Sequence, residues 1–296
     1  MLHIQRYRTS VNTEHPVKGI LFICAAVFLF ASSDALSKYL TNFYPVVMVL
    51  WLRYVVHIIL MLGALRPPSF RTLIACKEPK LQIIRGLCMV CTNLLFISAL
   101  RYIPLAEGTS IVYVSPLLVT AFSGPFLGER VGRLQWVAVL IGFIGVLLVV
   151  RPGGSMFHPV ALLALGAAFS FSLYQLITRK LNNIDSSSTT NFISGLVSAL
   201  VTSLLIPFFW KTPTLYFAIL MVILGVSALV SHLLMTSAYQ HAKPSTLAPF
   251  SYMQLLFAGL IGYAFFNQIP DVIGIFGMLI IVTGGLLVLV KQRRGS

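Results

Sequence analysis

A chain of 296 residues with 58% hydrophobic and 9% charged residues falls outside the water-soluble class, in which about a quarter of residues are charged. In a soluble protein a net charge of +14 would point to nucleic acid, but here the cations sit in short loops between apolar runs. They therefore report topology in a lipid bilayer, and no nucleic-acid partner is expected.

A helix needs about 20 apolar residues to cross the hydrocarbon core. Ten such runs are predicted, at 17–37, 43–65, 82–101, 105–127, 134–150, 159–179, 189–210, 215–239, 245–266 and 271–290, with Pro104, Pro159, Pro244 and Pro270 at their boundaries. The first run follows Arg6, Arg8 and Lys18, but it is long and lacks a clear small-x-small cleavage site, so it reads as a span and not a signal peptide. Residues 1–16 read as a polar cytoplasmic tail and 291–296 as a basic one.

With the N-terminus inside and each run crossing once, sixteen of the 21 Lys and Arg fall on the cytoplasmic side. Lys38, Arg101, Arg151 and Lys211 fall outside, and Arg53 falls within a span. That bias sets the orientation, with both termini cytoplasmic. The short basic loops suggest an inner membrane. Of Cys24, Cys76, Cys88 and Cys91, the last two form a C-x-x-C at the start of an apolar run with no second ligand pair, so packing is expected rather than metal or redox chemistry.

The chain also matches itself. A shift of 139 lays 94–99 over 233–238, Tyr113 over Tyr252, Leu117 over Leu256, Phe126 over Phe265 and Gly145 over Gly284. A shift of 141 lays Ala26, Phe28 and Phe30 over Ala167, Phe169 and Phe171. Two halves follow, 17–152 and 153–290, each of five spans. Five is odd, so the second half enters the membrane from the opposite side. Such inverted repeats are typical of secondary transporters, whose binding site lies near the midplane between the halves.

Particular residues in the first half carry a resemblance to a known family. They are Arg85-Gly86, the run Ser98 to Glu107, Ser115-Pro116, Leu127-Gly128-Glu129-Arg130, Gln135-Trp136, the Gly142 to Leu148 run and Arg151-Pro152-Gly153. Their order and spacing resemble the EamA-type branch of the drug/metabolite transporter superfamily. The second half departs from the pattern: Gln268 stands where Glu129 does, and Gln254-Leu255 where Ser115-Pro116 does. The resemblance implies an all-α fold of ten spans around a central cavity. That cavity is lined by the third, fourth, eighth and ninth spans, with peripheral fifth and tenth spans suited to pairing subunits in a homodimer.

An ionisable residue inside the membrane is a functional candidate by default. Asp34 lies one helical turn before Lys38, and two readings stand: a substrate-amine or proton site, or a local ion pair. Arg53 lies roughly 15 Å deep in the second span, placed either to hold a carboxylate or phosphate or to join helices. With Asp34 it is suited to a zwitterion. Arg85, nearer the cytoplasmic edge, reads as structural or topological. Glu107 suits the N-terminus of the fourth span through the helix dipole, and Glu129 at its other end reads as a latch. His232 aligns with Asn93, and is either packed or a proton carrier. Trp51, Tyr113, Tyr174, Gln175, Tyr252 and Gln254 are candidate lining, and Pro116 and Pro249 candidate bends.

The sequence has no H-E-x-x-H, G-x-S-x-G or phosphate-loop motif, so no catalytic site and no cofactor are implied. The expected function is secondary transport of a small, amino-acid-like or amphipathic metabolite by alternating access. Its driving partner is a proton or an exchange solute. The rival readings are a drug or metabolite exporter with proton antiport, a non-transporting scaffold, and a lipid-modifying membrane enzyme.

Overall fold

In the computed structural model, residues 16–64, 74–128, 132–151, 159–181, 184–242, 247 and 250–294 are described, and the regular elements among them are all helices. In chain order they are α1 (Pro16–Leu40), α2 (Val46–Ala64), α3 (Pro79–Leu100), α4 (Leu105–Val112), α5 (Ser115–Leu127), α6 (Arg133–Val150), α7 (Ala161–Leu181), α8 (Ser187–Phe209), α9 (Leu215–His241), α10 (Met253–Phe266) and α11 (Val272–Arg294). Among the described residues, seven helical stretches are long and apolar enough to cross a membrane, α4 and α5 counting together as Leu105–Phe126. Three shorter apolar helices are Gln135–Val150, Met253–Phe266 and Val272–Gly284. In hydrocarbon each backbone N–H and C=O must bond within its own segment, so apolar runs of this length settle as helices.

Local chemistry sets the boundaries. Proline stands in the first turn of α3 and α5, where its missing N–H costs nothing. Gly128 closes α5 in the left-handed region at φ 70°, and Asn267 closes α10 there at φ 52°. These two caps are 139 residues apart, repeat mates under the shift that aligns Tyr113 with Tyr252.

The packing follows the same rule. Helix α1 lies along α9 and α3 along α7; α2 meets α9 and α3 meets α8; α1 meets α10 and α5 meets α7. Each of these is one pairing seen twice under the half-chain shift. The pairings α2 with α8 and α6 with α11 are their own mates. The close approaches repeat too. A Cβ on Gly86 would stand 2.6 Å from Val197 Cβ, and one on Gly225 would stand 2.6 Å from Val56 Cβ. Between α6 and α11, a Cβ on Gly145 would stand 2.8 Å from the Gly277 carbonyl oxygen, and one on Gly284 would stand 3.0 Å from the Ala138 oxygen. Where lipid offers no hydrophobic drive between helices, small residues that let backbones touch supply the association.

Polar ties close both ends of the bundle. At the end carrying the α1–α2 turn, Lys211 Nζ donates to the Phe43 carbonyl at 2.9 Å, Leu105 N–H donates to Gln268 Oε1 at 3.1 Å, and Arg151 meets Asp271 at 2.5 Å. At the opposite end Gln82 donates to Asp185 at 2.8 Å and to Thr190 at 3.2 Å.

The Cys88–Cys91 reading needs a correction. Cys91 is exposed on the outside of α3, with Ser170 Oγ 3.4 Å from its sulfur, because the apolar surroundings of this chain include its outer surface.

Two predictions follow from these contacts. Gly145→Ala drives a Cβ into backbone that cannot move aside, at a cost of about 1–3 kcal/mol, and should lower the melting temperature in detergent. Gly259→Ala, with open space around it, should not. The hydrogen bond from Arg151, then that from Gly274 N–H, holds the Asp271 carboxyl below its ordinary range. A depressed acid stabilises the fold above its unfolded value of about 4 and loses that contribution as pH falls through the folded value. Melting temperature should therefore drop on acidification below about pH 4, and Asp271→Asn should flatten that part of the curve.

Candidate functional site

The centre of the molecule is built from two helix interruptions. The span Leu105–Phe126 breaks at Tyr113–Val114, and Pro116 opens the new segment. Its repeat mate breaks at Tyr252, immediately before α10. The two tyrosine rings are in contact, tilted by 46° with centroids 5.3 Å apart. The Tyr113 hydroxyl is shared between the Ser251 carbonyl at 2.8 Å and Gln254 Oε1 at 3.0 Å. Gln254 Nε2 in turn donates to Asp34 Oδ2 on α1 at 3.3 Å. A hydrogen-bonded chain thus runs Tyr113–Gln254–Asp34, through half-buried side chains of three helices.

Across from this chain, Gln175 of α7 donates to Ser115 Oγ at 3.2 Å. That bond is the mate of Gln254–Asp34: a shift of 139 takes Ser115 to Gln254, and a shift of 141 takes Asp34 to Gln175. The contact recurs with donor and acceptor exchanged, and the carboxylate occurs in one of the two.

Arg53 of α2 is 8% exposed, and its Nη1 is buried with no hydrogen-bond partner among the described residues. Helix α2, which carries it, packs against α8 and α9. His232 stands edge-on to Phe30 at 5.1 Å and to His57 at 6.2 Å. Asn93 bonds the Met89 carbonyl at 2.9 Å, and the Tyr54 hydroxyl lies beside Asn93 and Ser198 without a hydrogen bond of good geometry.

The remaining candidates go elsewhere. Trp51 lies two residues before Arg53, hence on the opposite helix face, and donates to Ser203 of α8 at 2.8 Å with Trp210 edge-on at 6.1 Å. Of the two readings of Asp34, the local ion pair with Lys38 does not form. Lys38 is buried and donates instead to the carbonyls of Leu100 and of Ile103, the latter at 2.7 Å, with the Phe266 ring 5.7 Å away. The C-terminal carbonyls of α3 lack intrahelical donors, and the negative end of the helix dipole attracts the ammonium. Glu107 occupies the first turn of α4, within electrostatic reach of Lys38, Arg151 and Asp271. Glu129 and Pro249 lie outside the described residues.

Arg85, 2% exposed, forms a separate hub towards the opposite end. Its Nε bonds Thr178 at 2.6 Å, Nη1 bonds the Thr190 carbonyl at 2.8 Å and Ser194 at 2.5 Å, and Nη2 bonds Tyr174 at 2.6 Å and Asn191 at 3.3 Å. This fork clamps α3 to α7 and α8, and it draws Tyr174 away from the tyrosine pair. Sequence reasoning missed the acceptors around Arg85, which are small polar residues with no pattern of their own. It also missed His57, whose position one turn after Arg53 was a usable signal. Arg85→Met strands several of these acceptors and should cost about 3 kcal/mol, read as a fall in melting temperature; Arg85→Lys, lacking the fork, should restore little.

The EamA-like transporter family matches residues 17–151 and 158–290. The riboflavin transporter of Vibrio cholerae serotype O1 is 30% identical over 261 residues, 86% of this chain and 87% of that protein. The S-adenosylmethionine uptake transporter of Rickettsia bellii is 26% identical over 276 residues, 93% of this chain and 94% of that one. The pseudopaline exporter of Pseudomonas aeruginosa is 25% identical over 287 residues, 94% and 97% of the two chains. A solved crystal structure, 21% identical, superposes with a TM-score of 0.64 over 94% of this chain and 98% of its own, a likeness of fold. The chain belongs to the EamA-like transporter family, within the drug/metabolite transporter superfamily, and is a multi-pass membrane protein.

Proposed function

We propose that this protein is a secondary transporter that moves a small amphipathic metabolite across a bacterial inner membrane by alternating access. In this reading ten spans form two inverted five-helix repeats, 17–152 and 153–290, with both termini cytoplasmic. The observation that carries it is the facing pair of helix breaks at Tyr113–Val114 and Tyr252. Irregular backbone at membrane depth is tolerated only where it is enclosed by protein or lines a cavity, and broken helices at a repeat interface are where carriers hold their cargo. The recurring pairings and glycine approaches support the inverted repeat, since two alike halves can exchange conformations and so exchange the side on which the site opens.

The relatives named for riboflavin, S-adenosylmethionine and pseudopaline support an organic metabolite as cargo, and their names include both uptake and export. A second reading, export coupled to proton antiport, is favoured by one observation: the half-buried carboxylate of Asp34, joined to Tyr113 through Gln254.

The test is counterflow in liposomes preloaded with riboflavin or S-adenosylmethionine. The expected result is saturable uptake accelerated by solute on the far side, weakened about tenfold or more by Tyr113→Ala or Tyr252→Ala, equivalent to about 1.4 kcal/mol. Flux that rises linearly with concentration and ignores the far side would identify a channel, and no flux with any metabolite of these classes would favour a scaffold.

A further inference from the structure

Helix α3 packs on α7 and α8 of the second half, and its repeat mate α9 packs on α1 and α2 of the first. The α3–α8 junction lies towards one end of the bundle, where a Cβ on Gly86 would meet Val197. The α9–α2 junction lies towards the other, where a Cβ on Gly225 would meet Val56. The shifts of 139 and 141 lay the first approach on the second. When one half rocks against the other about the centre, one junction loosens as the other tightens.

The two junctions are alike in shape and unlike in chemistry. At the first, Arg85 donates to Tyr174, Thr178, Asn191, Ser194 and the Thr190 carbonyl, and its guanidinium carbon lies 4.2 Å from the Tyr174 ring centroid. One turn before it the buried Gln82 donates to Asp185 and Thr190, and the Lys77 N–H donates to the Asp185 carboxylate at 2.9 Å. Each of these bonds joins the first half to the second. At the other junction Leu224 stands for Arg85, Met221 for Gln82, Tyr44 for Asp185, Val49 for Thr190 and Ser37 for Thr178. Leu224, Met221, Tyr44 and Val49 share one apolar cluster, and Ser37 Oγ is buried with no hydrogen-bond partner among the described residues.

The leucine junction closes to the same 2.6 Å approach as the arginine junction, so the cage is not what draws these helices together. What the cage adds is a set of bonds that hold only while α3, α7 and α8 stay joined. A hydrogen bond contributes little net where water can take over both partners, and losing it is costly where water cannot. The cage is therefore strong while its end is shut and dry, and it releases readily once that end is wet.

We propose that Arg85 and its acceptors form the gate at their end of the carrier, holding that end shut while the other opens and parting before the central site can face the Arg85 side. This inference rests on the carrier reading and gives it one of its two gates. In the proposed topology the Arg85 end is cytoplasmic.

The test uses the full chain with Cys24, Cys76, Cys88 and Cys91 replaced by serine and one reporter, Asn93→Cys, about 12 Å further along α3 than Arg85. A membrane-impermeant thiol reagent is applied from each side in vesicles of both orientations, and a second chain with Lys80→Cys marks the side that the Arg85 end faces. Counterflow of riboflavin and of S-adenosylmethionine is read in parallel. Tyr174→Phe removes one bond and keeps the ring. It should raise the ratio of labelling from the Arg85 side to labelling from the other side about fivefold, the effect of one net hydrogen bond. Arg85→Met should raise it further, and labelling from the other side should fall as that from the Arg85 side rises. Should Arg85→Met not fold, Tyr174→Phe and Gln82→Leu still decide. A cage that only holds the fold predicts that labelling rises from both sides together, and that result overturns the gate. An unchanged ratio also overturns it, and counterflow that persists then leaves the carrier standing. A reporter reached from one side alone in every variant, with no counterflow of either solute, overturns the carrier reading and the gate with it.

Discussion

The structure depends on one constraint: a polar group surrounded by hydrocarbon must find its partner inside the protein. Apolar runs become helices because that conformation satisfies the backbone without help. Lys38 turns to the free carbonyls at the end of α3, and Arg85 collects acceptors from α7 and α8, for the same reason. Helices that cannot be drawn together by the hydrophobic effect are drawn together by contact, which is why glycine marks the approach of α3 to α8, of α9 to α2 and of α6 to α11. Against that background the departures stand out among the described residues: two interrupted helices, and four buried side-chain atoms without a hydrogen-bond partner, on Ser37, Arg53, Tyr54 and Gln82.

Symmetry and asymmetry divide the labour. The scaffold is symmetric, in its pairings, its glycine approaches, its left-handed caps at Gly128 and Asn267 and its touching tyrosines. A mechanism that exchanges two conformations needs such a scaffold, because a near-symmetric pair of halves makes the two states close in energy. The charges are asymmetric: Asp34 stands where the other half has Gln175, and Arg53 where it has Ser194, which accepts a hydrogen bond from Arg85.

The fold was legible in the sequence because apolar run length and the positions of cations are direct consequences of the bilayer. The all-helical membrane architecture, the break ahead of Pro116 and the mating of Tyr113 with Tyr252 could be read from the chain, while seven of the ten predicted runs meet the length and hydropathy of a span among the described residues. The site was legible only in part. Spacing along a helix says which side chains share a face, not which neighbour they turn towards; hence an Asp34–Lys38 pair among the readings of Asp34, and hence Trp51 among the lining candidates although its face turns to α8. The cage around Arg85 was invisible because threonine, serine and asparagine carry no signal until helices from both halves bring them together. The repeat held information that periodicity did not. The Ser115–Gln175 and Asp34–Gln254 contacts are one contact seen twice, and either predicts the other once the shift is known.

The central claim is that the site between the helix breaks opens alternately to the two sides of the membrane. Its most direct test is a chain in which Cys24, Cys76, Cys88 and Cys91 are replaced and one cysteine is placed at Asn93, labelled with a membrane-impermeant thiol reagent in right-side-out and inside-out vesicles. Alternating access predicts labelling from both sides, with a transported solute raising access from one side as it lowers access from the other. Labelling from one side alone, unmoved by any transported solute, would contradict it.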